Sequence, residues 1–466
     1  MLFSLGDLEK LWGKPITPIP SSIYKKQIHC VFTDSRRVVE GSFFVPLNGE
    51  RFDGHNFLQE AYKRGAIATV VANIFKDSIP DGFIYWKVQD TLYAYQQLAQ
   101  LYRKKLNIPV IAITGSVGKT TTRELIKATL TNLGEVTSTQ ENNNNDVGVP
   151  LTLFNATSND AALVVEMGMR GLGQIKRLSK CALPDMAVIT NIGNAHIGLL
   201  GSRENIAIAK CEITSYLNPN GMVVMPEGDN LLEDTLTREW KGQIVRVGLR
   251  ETPASSNNLN ILSKCKPVKY FGQLDLAKGL LVVNGETYVL PLEGKHNAMN
   301  FMLALAVAFE LGLKPSSIRK MILSLPAGRN SLLKFGNLSV LDETYNASPE
   351  SVLASLDLLV TKPGRRFAVL GTMMELGDKS MEFHSLILEK AVELQLEGVV
   401  LVSKEIYVKQ LAKIGKNLAL FHVVGEPEEA FILLASKLKA GDNLLLKGSR
   451  KVGLERLLPL LKSMNL

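Results

Sequence analysis

The stretch 109–130, "PVIAITGSVGKTTTRELIKATL", leaves few folds open to this chain. Residues 110 to 113 are an apolar run of the kind that fills a strand buried on both faces. A glycine turn follows, and from Lys119 onward the residues carry helical periodicity. A strand that turns at glycine into a helix aims unpaired backbone N–H groups and the helix N-terminus at one point, where anions bind. Gly115, Ser116, Val117, Gly118, Lys119, Thr120 and Thr121 read G-x-x-G-K-T-T. The usual phosphate loop has four residues between its glycines, and this one has Ser116 and Val117 alone. On the phosphate reading, Lys119 reaches the outer phosphates and Thr120 a Mg²⁺ ion. The plainer alternative is a tight strand–helix turn that happens to contain Gly-Lys-Thr.

The surrounding pattern extends that unit into an α/β chain of three domains. Residues 1–107 mix short strands ("HCVFTDSR", "GSFFVPL", "IATVVA") with helices at "HNFLQEAYKRG" and "TLYAYQQLAQLYRKKL". From 108 to 325, apolar runs ("VIAITG", "ALVVEMG", "MAVITNIG", "GMVVMP") alternate with helices, which implies a mostly parallel sheet covered on both faces. After "SLPAGRNS", residues 326–466 repeat the alternation in what reads as a smaller doubly wound domain. The 466 residues have room for two to four domains. A hydrophobic fraction of 46% and a charged fraction of 21% describe an ordinary globular chain. The net charge of +8 is spread without a dense basic block, so no nucleic-acid partner is expected. No apolar run approaches the roughly 18 residues of a membrane span, and the first residues do not read as a secretory leader. Cys30, Cys181, Cys211 and Cys265 lack metal-like spacing, consistent with reduced thiols and a cytoplasmic location.

Several other residues sit where ligands gather, past the C-terminal ends of strands. "ALVVEMGMRG" ends a buried strand in Glu166, a carboxylate that needs a cation or a solvated position. "VITNIGNAHIG" puts His196 past another strand, as a metal ligand, a neighbour of one, or a structural histidine. In "GKHNAMNFMLALAVAFELG", Asn297 and Asn300 share a face at the start of a helix. Their amides match an adenine edge, and they serve equally well as first-turn residues. "VLDETYNASPES", "LLLKGSRKVGLE" and "LGTMMELGDKSMEFH" together suggest a binding face in the last domain.

Assembled, these segments resemble the Mur ligase family, ATP-dependent amide-forming enzymes of peptidoglycan precursor synthesis. The resemblance covers essentially the whole chain, and the family's short G-x-x-G-K-[ST] loop matches "GSVGKTT". "DSRRVVEGSFFVPLNGERFDGHNF", "NNNNDVGVPLTL", "LDETYNASPESV", "LGTMMELG" and "LLLKGSR" are most similar to the member that joins D-alanyl-D-alanine to a UDP-N-acetylmuramoyl tripeptide. Glu343, Thr344, Ser348 and Glu350 stand where that member usually has Asp, Ser, Asn and Asp.

The resemblance implies roles. Lys119 and Thr120 would handle phosphate and Mg²⁺, Glu166 and His196 would ligate Mg²⁺, and Arg329 would meet the γ-phosphate. Asn297 and Asn300 would contact adenine, and Asp342 or Glu343 the ribose. Ser35, Arg36, Asn48, Asp53 and His55 would hold the uridine nucleotide, Asn144 and Asn145 the sugar or peptide part. Tyr345, Asn346 and Ser348 would line the dipeptide pocket. Lys210, in "SRENIAIAKCEI", would be carbamylated and hold a second Mg²⁺; a lysine that pairs with phosphate or Glu212 is the alternative. A monomer is expected. Rival readings are a folylpolyglutamate-type ligase, a nucleotide switch that forms no bond, and a nucleotide-binding structural protein. The third residue of the tripeptide, diaminopimelate or lysine, stays open.

Overall fold

The computed structural model describes residues 2–49, 52–251, 267–318, 321, 323–405 and 408–464. Glu50 and Arg51 of the uridine-type segment and Cys265 lie outside the described residues; Cys30, Cys181 and Cys211 are free thiols.

In the N-terminal part, β1 (Phe3–Ser4) pairs antiparallel with β2 (Gln27–Ile28). Four strands, β3 (Val31–Phe32), β4 (Phe43–Phe44), β5 (Ala68–Ala72) and β6 (Ile84–Val88), form a parallel sheet in chain order. A helix at Leu5–Trp12 has no counterpart in the sequence reading. Its start is a capping box, with Ser4 accepting from the Asp7 amide and Asp7 accepting from the Ser4 amide.

The central sheet is built from β7 (Val110–Thr114), β8 (Val136–Ser138), β9 (Ala162–Glu166), β10 (Met186–Ile189), β11 (Met222–Pro226), β12 (Gln243–Glu251), β13 (Tyr270–Asp275), β14 (Leu280–Val283) and β15 (Glu286–Val289). Their spatial order is β15-β14-β13-β12-β11-β10-β7-β9-β8. The strands from β8 to β13 run parallel, and β14 and β15 turn back antiparallel. That antiparallel edge was not foreseen. Strand β14 buries alternate residues, a half-buried pattern that reads less plainly than the continuous apolar runs.

Strand β7 shows why helices cover both faces. Ile111 and Ile113 pack with Leu125, Ile126, Phe301 and Met302 on one side. Val110 and Ala112 pack with Val149, Leu153, Ile175 and Leu178 on the other. The chain leaves β7 for β9 and β8 on one flank and returns to β10 on the other. The turn after β7 therefore lies at the topological switch point, where open α/β sheets form a crevice.

The C-terminal sheet has β16 (Ser331–Phe335), β17 (Leu338–Glu343), β18 (Arg366–Gly371), β19 (Gly398–Val402), β20 (Leu420–Val424) and β21 (Asn443–Lys447), in the order β16-β17-β21-β18-β19-β20. All pairings except β16–β17 are parallel. Strands β17, β21 and β18 are neighbours, so the three loops singled out in this region leave one edge of the sheet side by side. The three-domain α/β architecture matches the sequence expectation.

One helix ties the first region to the second. Thr91–Arg103 follows β6, yet Tyr102 Oη donates to the Ala156 carbonyl (2.6 Å) and Gln100 Nε2 to the Lys180 carbonyl (2.7 Å). Arg103 Nη2 donates to the Asp185 carboxylate at 2.7 Å.

Candidate active site

The loop after β7 is shaped by two glycines. Gly115 has φ 151°, and a Cβ there would lie 1.9 Å from Thr190 Oγ1. Gly118, at φ 80°, occupies the left-handed region just before the helix Lys119–Leu130 and lies against the Asn300 amide. The next strand end holds the loop in place. The Ser116 amide donates to the Asn191 carbonyl (3.2 Å) and the Val117 amide to Asn191 Oδ1 (3.1 Å). Thr190 Oγ1 and Asn191 Nδ2 both donate to the Val117 carbonyl, and the Gly193 amide donates to Ser116 Oγ. Lys119 Nζ folds back onto the Gly115 carbonyl at 2.8 Å. Burial depresses its pKa; Glu166 opposes that effect and Arg329 adds to it.

Glu166, 2% exposed at the end of β9, has three side-chain partners among the described residues. Thr120 Oγ1 donates to Oε2 at 2.9 Å, Arg123 Nη1 to Oε2 at 3.0 Å, and Asn144 Nδ2 to Oε1 at 2.8 Å. Arg123 was missed in the sequence; it stands four residues after Lys119, one helical turn along. His196, in the left-handed region at φ 68°, caps the short helix Ile197–Leu200. Its Nδ1 pairs with the Glu375 carboxylate from the loop after β18. Burial lowers its pKa from 6.5 to about 4, with Lys119 and Lys210 adding to the effect and Glu375 opposing it. Lys210 is wholly buried, and its Nζ has no hydrogen-bond partner among the described residues. Glu212 instead accepts from the Gly173 and Lys176 amides, at 2.6 and 3.1 Å. Burial first, and then Lys119, hold the Lys210 pKa well below its ordinary value.

A cleft of about 1260 Å³ lies between the glycine loop and the C-terminal domain, and Gly115 and Lys210 are not among its lining residues. Ser116 to Thr121, Asn144, Asn145, Glu166, His196, Asn297, Asn300, Arg329, Glu343, Tyr345, Asn346 and Ser348 all line it. Asn297 Nδ2 donates to the Glu293 carbonyl and to Asn330 Oδ1, and Asn300 Nδ2 to Asn297 Oδ1. The Arg329 guanidinium lies 3.8 Å from the centre of the Tyr345 ring, and its Nε is buried without a partner among the described residues. Glu343 accepts from Lys447 Nζ at 3.2 Å. Asp342 does not line the cleft: 4% exposed, it accepts from the Thr344 amide and hydroxyl. Asn145 Oδ1 accepts from the Val147 and Gly148 amides, and Ser348 caps the helix Pro349–Val360. Across the domains, Glu350 Oε1 accepts from the Asn194 amide (2.7 Å) and Asn194 Nδ2 (2.6 Å).

Ser35, Arg36, Asn48, Asp53 and His55 stand apart, in the N-terminal domain. Ser35 Oγ donates to Glu60 (2.7 Å), and Arg36, 80% exposed at its side chain, pairs with Asp34. Asn48 bridges to Asp53. Asp53 accepts from the His55 amide and pairs with His55 Nδ1 (2.6 Å), while His55 Nε2 accepts from the Ala72 amide.

Family models match three successive parts of the chain: "Mur ligase family, catalytic domain" over 27–113, "Mur ligase middle domain" over 113–308, and "Mur ligase, glutamate ligase domain" over 328–450. A UDP-N-acetylmuramoyl-tripeptide–D-alanyl-D-alanine ligase of Synechocystis is 39% identical over 92% of this chain and 90% of its own. The chain belongs to the Mur ligase family. A Mur ligase of the same description from Escherichia coli is 31% identical, with 92% of each chain covered. Among solved Mur ligases, MurF from Acinetobacter baumannii superposes with a TM-score of 0.84 at 28% identity, covering 99% of both chains. MurF ligase from Thermotoga maritima in complex with ADP gives 0.78 at 29% identity, covering 93% of this chain and 97% of its own.

Proposed function

We propose that this Mur ligase joins D-alanyl-D-alanine to the C-terminal carboxylate of UDP-N-acetylmuramoyl-tripeptide, with ATP as the energy source, in peptidoglycan synthesis. One observation carries the reading beside the family relationship: the glycine loop of the central domain and the strand-end loops of the C-terminal domain line a single cleft. A carboxylate oxygen is a poor leaving group. Transfer of the ATP γ-phosphoryl group to that oxygen gives an acyl phosphate and ADP. The dipeptide amine then forms the new C–N bond, the C–O bond breaks, phosphate leaves, and the amine gives up a proton. Phosphoryl transfer is mainly positioning and charge neutralisation, roles suited to Lys119 and Arg329. Enclosing the acyl phosphate between two domains keeps water from hydrolysing it.

Asn297 and Asn300, which line the cleft, suit the adenine edge. Glu343 lines the cleft where Asp342 does not, which favours Glu343 as the ribose contact. Tyr345, Asn346 and Ser348 suit the dipeptide; Asn144 and Asn145 suit the sugar or peptide. Ser35, Arg36, Asn48, Asp53 and His55 belong to the uridine end.

Among the described residues no group of three His, Cys, Asp or Glu could hold a metal unaided. The donors present still fit Mg²⁺, which is commonly held by one or two carboxylates and the substrate's phosphates. Thr120, Glu166 and His196 would hold it. Lys210, buried, unpartnered among the described residues and shifted toward the neutral amine, fits carbamylation: its nitrogen bonds CO₂ and loses a proton, leaving one negative charge shared by two oxygens that would hold a second ion. Bound Mg²⁺ supplies charge neutralisation at the phosphates.

Phosphate release, assayed with ATP and UDP-tripeptide with and without D-alanyl-D-alanine, tests the reading. Sustained release is expected only with all three substrates. Release from ATP alone would instead make the protein a nucleotide switch.

A further inference from the structure

The segment "LGTMMELG" has no role in the chemistry above, yet its Glu375 reaches a residue that does. The loop after β18 brings Glu375 to His196, and Arg170 Nε lies 3.5 Å from the other carboxylate oxygen. The approach is built on both sides. Glu375 and His196 both hold left-handed backbone conformations, at φ 63° and 68°, which cost a non-glycine residue energy and tend to occur where a side chain must be aimed. The Gly198 amide donates to the Glu375 carbonyl at 3.0 Å. A Cβ on Gly198 would lie 2.4 Å from the Gly377 nitrogen, and one on Gly377 would lie 2.9 Å from the Gly198 Cα. Only a bare backbone on each side allows so close an approach. Ile197 and Leu376, beside these glycines, are buried in the same apolar cluster.

We propose that Glu375 is a positioning residue that acts through His196. By accepting the Nδ1 proton, the carboxylate fixes the imidazole in the Nδ1–H tautomer and presents the Nε2 lone pair to the cleft. A carboxylate or carbonyl on the far nitrogen is the usual device for orienting a metal-binding histidine. The unusual point is its source. Glu375 belongs to the C-terminal domain and His196 to the central domain, so the histidine is set only when the two domains are docked. Metal affinity at His196 and docking of the C-terminal domain are therefore linked, each favouring the other.

The inference rests on the proposed role of His196 as an Mg²⁺ ligand, and its test reads the residue without relying on turnover. In full-length protein labelled with ¹⁵N-histidine, His196 is assigned by comparison with His196→Gln. Its ring nitrogens should report the Nδ1–H tautomer. In Glu375→Ala they should move to a mixture or to Nε2–H, and the isosteric Glu375→Gln, whose amide oxygen still accepts, should retain the Nδ1–H form. Mn²⁺ affinity in the presence of ADP, followed by electron paramagnetic resonance, should fall about ten- to a hundredfold in Glu375→Ala and less in Glu375→Gln. An unchanged tautomer or an unchanged Mn²⁺ affinity in Glu375→Ala overturns the proposal. If both move as expected while wild-type protein releases no phosphate with its three substrates, the proposed reaction fails and the positioning role stands.

Discussion

Two bases, half-buried His196 at the cleft and wholly buried Lys210, are kept toward their neutral forms, and each has a consequence that can be measured. An unfolded histidine takes up its proton near pH 6.5, whereas folded His196 resists until about 4. Between those values the unfolded chain binds more protons, so acid favours unfolding there. Stability should fall as the pH drops from 6.5 toward 4, and His196→Gln should reduce that slope. Urea midpoints of both proteins at pH 7.5 and 5 check the prediction; equal losses would count against it. For Lys210, the carbamate reading predicts that Lys210→Ala is nearly inactive and that a short carboxylic acid restores part of the activity. Rescue by an alkylamine and not by the acid would mean that positive charge is what the site requires. The residue types at both positions are legible in the sequence. Their environments are not: the orphaned Lys210 amine and the Glu375 partner of His196 arise from approaches between residues distant in the chain.

At the level of elements, the strand–loop–helix of the central domain was readable because apolar run, glycine turn and helical periodicity occupy one continuous stretch. The pairing of the helix Lys119–Leu130 with the end of β9 was not. Arg123 and Glu166 are 43 residues apart in the chain, and nothing in either segment names the other. Their side chains are 1% and 2% exposed. Removing one member of a buried pair leaves an uncompensated charge, which costs about 3–5 kcal/mol. Arg123→Met should destabilise the protein by roughly that amount, read from chemical denaturation. A loss under 1 kcal/mol would mean that Thr120 and Asn144 suffice to hold the carboxylate. The N-terminal candidates were legible as polar turn residues and no further. Asp53 and His55 are engaged with each other, and His55 also accepts from the Ala72 amide, a pairing that spacing alone does not specify.

For the molecule as a whole, the described arrangement has the C-terminal domain docked against the central one, through Asn194–Glu350 and His196–Glu375. The close passage of Gly198 and Gly377 gives a way to pry it open. Gly198→Ala places a methyl group 2.4 Å from a backbone nitrogen, so the two segments must separate. The ligand-free radius of gyration by small-angle scattering should rise above wild type, and an ATP analogue with UDP-tripeptide should fail to restore the wild-type value. An unchanged radius would show that docking does not depend on this approach. The other seam behaves differently. Lys104 and Lys105 are exposed, directly after a helix whose Tyr102 and Arg103 are fastened to Ala156 and Asp185. Trypsin nicking there should yield two fragments in a denaturing gel and one peak on size-exclusion chromatography. The severed N-terminal piece would stay seated, like a subunit whose covalent tether was never what held it.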